Sequence, residues 1–303
     1  MESRLLVPLD GSSLAEQALS CAVMLGRELP AELVLLRAVH LPGEAQKILD
    51  EAAGEQSNLV AQFAAEADDY LRKTAGGLRQ AGMSVQHVVQ HGPAAEAIVD
   101  YAEQMEITQI VMATHGYSGI RRWVHGSVAE RVLQAASVPV LLVRAQEQGE
   151  DDSPKHMLCR RILVPLDGSQ LAEQVLPPVT RLAKATEAEV LLLQIAIDRP
   201  ASMLAGDWFF LPVESEFEEV EQAALAYLEG VAGPLRENGI PVSTDTGIGP
   251  VATSIVEYAE AKHVDLIAMC THGRTGLSRW ALGSVADKVL RAAGVPILLV
   301  RAA

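Results

Sequence analysis

The chain has 303 residues, 49% of them hydrophobic and 21% charged, which is the composition of an ordinary globular protein of about two domains. Its formal net charge of -15 argues against a nucleic-acid partner, because binding a phosphate backbone needs a basic face. No apolar run approaches the ~20 residues needed to cross a bilayer and no basic-then-apolar leader opens the chain, so a cytoplasmic protein without membrane contact is expected.

The first apolar run, residues 5–9, is consistent with a buried strand; Pro8 cannot donate to a ladder, so irregular pairing is expected at its end. Asp10 and Gly11 follow. Ser13 and Glu16 have capping-box spacing and open a helical pattern through Ala15, Ala18, Leu19, Ala22 and Leu25. Residues 32–39 are near-continuously apolar, as in a strand covered on both faces. Over residues 43–82, Leu59, Phe63, Ala67, Tyr70 and Leu71 recur at helical spacing, which predicts a long crossover helix after an irregular lead-in. Residues 84–89 predict the third strand, and Pro93 suits the first turn of a helix through Ile98 and Tyr101. The fourth strand, residues 109–113, runs into Thr114-His115-Gly116 and, after residues 117–125, into Gly126-Ser127. Ser127 opens a helix through Val128, Val132 and Leu133, and residues 138–143 form the fifth strand. This alternation predicts an α/β fold with a five-stranded, mostly parallel, doubly wound sheet.

The whole pattern then repeats at a constant offset of 157 residues (273 − 116 = 157). That offset carries Asp10-Gly11-Ser12 onto Asp167-Gly168-Ser169, His115-Gly116 onto His272-Gly273, Gly126-Ser127 onto Gly283-Ser284, Tyr101 onto Tyr258 and Trp123 onto Trp280. Each copy is long enough to bury its own core, so the repeat predicts two tandem Rossmann-like domains, residues 1–145 and 158–303. Residues 146–157, with Glu147, Glu150, Asp151, Asp152, Gly149 and Pro154 and no periodicity, read as the linker. The copies diverge most over residues 198–219, where Trp208-Phe209-Phe210-Leu211 reads as a packing plug or an interdomain contact. Cys21, Cys159 and Cys270 are odd in number and lack ligand spacing, so neither a disulfide framework nor a zinc site is predicted.

In a doubly wound sheet, ligands bind beyond the carboxyl ends of the strands where the strand order reverses. Asp10 ends the first strand and the His115-Gly116 loop ends the fourth; if these strands are neighbours, both elements meet in one crevice. There a carboxylate accepts hydrogen bonds from ribose hydroxyls, while glycines and the start of the Ser127 helix take phosphates. The plainer reading makes Asp10-Gly11-Ser12 a turn and Ser127 an ordinary N-cap. Gly247-Ile248-Gly249-Pro250-Val251-Ala252 matches a dinucleotide fingerprint with Asp265 downstream, but it sits at a third strand and is expected to be a decoy. His115 and His272 suit phosphate contact or loop bracing better than catalysis, since no nucleophile motif or Walker A lysine accompanies them.

The Asp after the first strand, the glycine-loop pattern ending in Gly-Ser and the closing Val-Pro-Val-Leu-Leu-Val strand resemble the universal stress protein family, and both copies resemble it from end to end. The resemblance implies ATP binding, with ADP or AMP as relatives and Mg possible. It places cofactor contacts at Asp10, Ala38, Ala113, His115, Gly116, Gly126, Ser127 and Val128 in the first copy. In the second they fall at Asp167, Ile195, Cys270, His272, Gly273, Gly283, Ser284 and Val285, with Ala38 and Ile195 as backbone contacts to adenine. Ala113 and Cys270 stand where the pattern has its first glycine, so the copy with the smaller side chain, the first, is expected to bind more tightly. The expected role is stress-linked sensing or regulation without efficient turnover, through an unidentified protein partner. The alternatives are a structural or interaction protein of the same fold and a slow Mg-dependent ATP hydrolase. The fifth strands, apolar and at sheet edges, are expected to pair within one chain as a pseudo-dimer, with a homodimer as a further possibility.

Overall fold

The computed structural model describes residues 3–40, 56–114, 127–144, 159–197, 214–271 and 282–301. The linker and the Trp208-Phe209-Phe210 cluster lie outside these residues. The chain divides into two compact units, Met1–Met157 and Leu158–Ala303.

The first unit runs β1 (Ser3–Pro8), α1 (Ser13–Glu28), β2 (Ala31–Val39), α2 (Gln56–Gln80), β3 (Val85–His91), α3 (Ala94–Gln104), β4 (Gln109–Ala113), α4 (Ser127–Ala135) and β5 (Val140–Val143). Its strands are all parallel, in the order β3-β2-β1-β4-β5. Right-handed crossovers place α1 and α2 on one face and α3 and α4 on the other, where α3 packs on α4. Covered on both faces, the central strands bury Leu5, Leu6, Val7, Leu33, Val34, Leu35 and Ile110 completely. The chain moves outward from β1 through β2 to β3, then returns to β4 on the opposite side of β1. The switch point of the sheet therefore lies between the carboxyl ends of β1 and β4.

The second unit repeats the plan with β6 (Arg161–Pro165), α5 (Gln170–Glu173), α6 (Leu176–Thr186), β7 (Glu189–Ile197), α7 (Glu214–Glu237), β8 (Val242–Ile248), α8 (Val251–Ala261), β9 (Leu266–Cys270), α9 (Ser284–Ala292) and β10 (Ile297–Val300). Its strand order is β8-β7-β6-β9-β10, again parallel, so each unit is Rossmann-like. Where α1 is continuous, the second copy breaks into α5 and α6, because Pro177-Pro178 replaces Ser20-Cys21 and a proline ring inside a helix removes a hydrogen bond and clashes with the preceding turn. A register shift between Ile195 and Ile197 interrupts the β7–β8 ladder, whereas β2 and β3 pair without a break up to Val39 and His91.

Two expectations need correction. The cap of α1 is Ser12 rather than Ser13: its side chain accepts from the Ala15 N–H, and Glu16 instead accepts from the Tyr70 hydroxyl at 2.8 Å. Phe63 shares the helical spacing of Ala67 and Leu71 but is 42% exposed, while those two are buried.

Candidate functional site

Both units build the same turn after the first strand. Asp10 Oδ1 accepts from the Ser12 N–H at 2.9 Å and its hydroxyl at 2.6 Å; Ser12 Oγ then accepts from Ala15 N–H at 3.1 Å. In the second unit, Asp167 Oδ1 accepts from Ser169 at 3.0 and 2.6 Å, and Ser169 Oγ accepts from Ala172 N–H at 3.1 Å. The residue between must turn left-handed: Gly11 has φ +88° and Gly168 +82°, a region costly for any side chain. This fixes a carboxylate at the sheet's switch point and opens a helix beside it.

The neighbouring strand supplies the other wall. Thr114 N–H donates to Val143 O at 3.0 Å and Thr271 N–H to Val300 O at 2.9 Å, carrying the ladder one residue past β4 and β9. Gly283 N–H returns to Thr271 O at 2.8 Å, which anchors the start of α9 directly against the end of β9. Gly283 holds the cap position and no side chain caps this helix. Ser284 is the first helical residue, not the cap, so its hydroxyl is not engaged as an N-cap acceptor and the first-turn N–H groups of α9 face the crevice.

In the second unit these parts enclose a crevice of about 840 Å³, lined by Asp167, Ile195, Cys270, Gly283, Ser284 and Val285 among others. The volume lies within the range of small-molecule sites. Six of the eight positions expected there thus converge on one cavity; His272 and Gly273 lie outside the described residues. In the first unit Asp10 follows β1, Ala38 lies near the end of β2, Ala113 ends β4, and Ser127 and Val128 start α4; His115, Gly116 and Gly126 lie outside the described residues.

Among the described residues, the non-glycine positions with positive φ are Pro30, Glu106, Glu187 and His263, so neither Ala113 nor Cys270 needs a glycine's backbone. Their side chains matter only through the room they take. The Cys270 thiol donates to Ala172 O at 3.5 Å, and burial pushes it up to about 12. The Gly247–Gly249 segment ends β8, the strand at the outer end of its unit's order, and Asp265 accepts from the Arg160 and Arg161 N–H groups at 2.8 and 2.9 Å. That acid sits at the amino end of the strands, opposite the crevice, where it takes the place that Thr108 holds in the first unit.

The family model of the universal stress protein family matches residues 1–144 and 159–301. The chain belongs to this family, as a tandem member with two of its domains. Universal stress protein MJ0531 of Methanocaldococcus jannaschii is 34% identical over 144 residues, 48% of this chain and 83% of that protein. Universal stress protein Rv2005c of Mycobacterium tuberculosis is 26% identical over 242 residues, covering 79% of this chain and 76% of the relative. In fold, the crystal structure of a universal stress protein from Archaeoglobus fulgidus is similar, with a TM-score of 0.71 at 20% identity over 99% of this chain and 98% of that one.

Two pairs of equivalent residues at the crevices of this tandem universal stress protein escape a reading of the sequence. Tyr227 lines the second crevice and donates to Glu173 at 2.9 Å, as Tyr70 does to Glu16 in the first unit. Burial, together with the adjoining carboxylate, raises the Tyr70 hydroxyl above its ordinary range. Gln194 also lines the second crevice, with its enclosed Oε1 lacking a hydrogen-bond partner among the described residues. Its equivalent is Arg37, whose guanidinium stacks 5.2 Å from the Tyr70 ring centroid. The offset of 157 pairs these residues in the sequence; a charge at the end of an apolar strand, facing a neutral residue in the duplicate, was the available signal.

Proposed function

We propose that this protein binds an adenine nucleotide, ATP with ADP or AMP as alternatives, at the carboxyl ends of the inner strands of each unit, and that it acts in the cytoplasm as a stress-linked sensor or regulator without efficient turnover. The observation that carries the reading is the second unit's crevice: a carboxylate locked on a glycine turn faces an uncapped helix start across a cavity of about 840 Å³. A ribose suits the carboxylate and a phosphate suits the first-turn N–H groups. The residues present fit such a ligand, and Mg²⁺ would enter on its phosphates. The net charge of -15 opposes a free anion, so local dipoles must hold it, which favours a ligand that also offers an apolar ring to Ile195 and Tyr227. Three buried cysteines, none of them in a disulfide, fit a reducing compartment, and among the described residues no helix is long and apolar enough to cross a membrane.

The sequence contains no nucleophile or Walker A motif, which supports binding in place of catalysis. Binding energy then goes into stabilising one conformation, a linkage a protein partner can read. The test is direct: nucleotide is extracted from the purified protein and identified, and the melting curve is followed with ATP, ADP and AMP at millimolar levels. Co-purified or stabilising adenine nucleotide is expected; no extract and no shift with any of the three defeats the reading. Phosphate release above that of a Gly116→Val, Gly273→Val double variant would establish turnover instead.

We propose also that the fifth strands, β5 and β10, pair within the chain, since each is apolar and terminates its own unit's strand order. Each unit expressed alone is then expected to dimerise in scattering measurements, and two monodisperse monomers would refute the pairing.

A further inference from the structure

We infer that Arg37 rests in the first crevice as a displaceable gate, so that the second unit holds the tighter of the two nucleotide sites. The inference builds on the nucleotide reading and reverses the order expected from the sizes of Ala113 and Cys270.

In the second unit Gly168, Gln194 and Tyr227 all line the crevice. Their equivalents in the first unit, Gly11, Arg37 and Tyr70, are bridged by one side chain. The guanidinium Cζ, Nη1 and Nη2 of Arg37 lie 3.3 Å from where a Cβ on Gly11 would stand, and the same group stacks 5.2 Å from the Tyr70 centroid. The aromatic walls are alike, since both tyrosine hydroxyls are pinned by a glutamate at 2.8 and 2.9 Å. What differs is the residue on the strand. Glutamine is shorter and uncharged, and its amide leaves the wall clear. Arginine reaches across to the glycine turn, where the missing Cβ gives its plane a seat.

A guanidinium on a half-exposed aromatic ring is held by a modest attraction, strong enough to set a resting position and weak enough to yield to a ligand. The apparent dissociation constant of a site scales inversely with the fraction of molecules in which the site is open. An arginine seated in about nine molecules of ten therefore weakens the first site about tenfold. On the other side, Cys270 has an ordinary backbone and a thiol turned onto Ala172 O, so it obstructs less than its volume suggests.

The experiment titrates ATP calorimetrically into the full chain, unaltered and as Arg37→Gln and Gln194→Arg. The unaltered chain is expected to show two unequal steps; Arg37→Gln tightens the weaker step about tenfold and leaves the stronger one, and Gln194→Arg weakens the stronger step. Arg37→Gln that weakens either step, or moves neither, overturns the gate while leaving nucleotide binding intact. If no chain takes up ATP, the nucleotide reading fails separately, and the gate is decided on ligand-free protein by N-acetylimidazole acylation, followed peptide by peptide. Tyr70 protected in the unaltered chain and released by Arg37→Gln supports a seated arginine; equal modification with and without Arg37 overturns it.

Discussion

The two units share a fold, a turn and a helix-borne wall, yet differ at the few positions that decide what fits between them. Asp10 and Asp167 are held by the same hydrogen bonds to within 0.1 Å, and Tyr70 and Tyr227 reach equivalent glutamates. Against this constancy stand Arg37 for Gln194, Ala113 for Cys270, an unbroken β2–β3 ladder for one that shifts register at Ile195, and a continuous α1 for the α5–α6 break. After a duplication, framework bonds need two or three residues at once and are hard to change singly. A side chain lining open space is free to change alone. The tandem protein keeps two scaffolds and diversifies their contents.

The largest effects belong to the shared framework. Leu71 on α2 and Leu228 on α7 are equivalent and fully buried, so Leu71→Ala and Leu228→Ala are each expected to cost about 2–5 kcal/mol in urea unfolding. A loss below ~1 kcal/mol at one of them would break the likeness of the two cores. Next comes ligand linkage. ATP at ~100 times the dissociation constant should stabilise a site by ~2.7 kcal/mol, and Gly273→Val should remove more of the melting-curve gain than Gly116→Val. The reverse order would restore the first unit as the stronger site.

Much of this architecture is legible in the amino-acid order. The offset of 157 follows from Asp-Gly-Ser and His-Gly alone, and the fourth strand, residues 109–113, has the bounds predicted, its apolar residues 110–113 buried between the neighbouring strands β1 and β5. The cap of α1 is ambiguous in sequence, since Ser12 and Ser13 are both competent and Glu16 favours Ser13; Asp10 decides it by binding Ser12 through N–H and hydroxyl together. Phe63 shows that helical spacing marks a face without fixing how far the neighbouring element covers it. Arg37 escapes notice because its contacts with Gly11 and Tyr70 join residues from three parts of the fold, and no local pattern encodes such a meeting.

Smaller effects are expected at the helix caps and at the Cys270 thiol. Ser12→Ala and Ser169→Ala each remove an N-cap bond and should cost about 1 kcal/mol alike, read as shifts in denaturant midpoint; unequal losses would show that the α5–α6 break has altered the cap's worth. The Cys270 thiol is peculiar to the second crevice. Raised from an ordinary value of about 9 to about 12, it adds stability that is full below pH 9 and is lost as pH climbs towards 12. At pH 8 it should react with iodoacetamide on the order of a hundredfold more slowly than a free thiol, and a normal rate would mean the crevice floor is open to water.

Two nucleotide sites of unequal strength on one duplicated scaffold make a sharp prediction for native mass spectrometry of the full chain at rising ATP concentration. A complex with one nucleotide is expected to accumulate well before the complex with two, and Gly273→Val is expected to abolish that first uptake. No uptake at all, or the two complexes growing in the statistical ratio of identical sites, would contradict it.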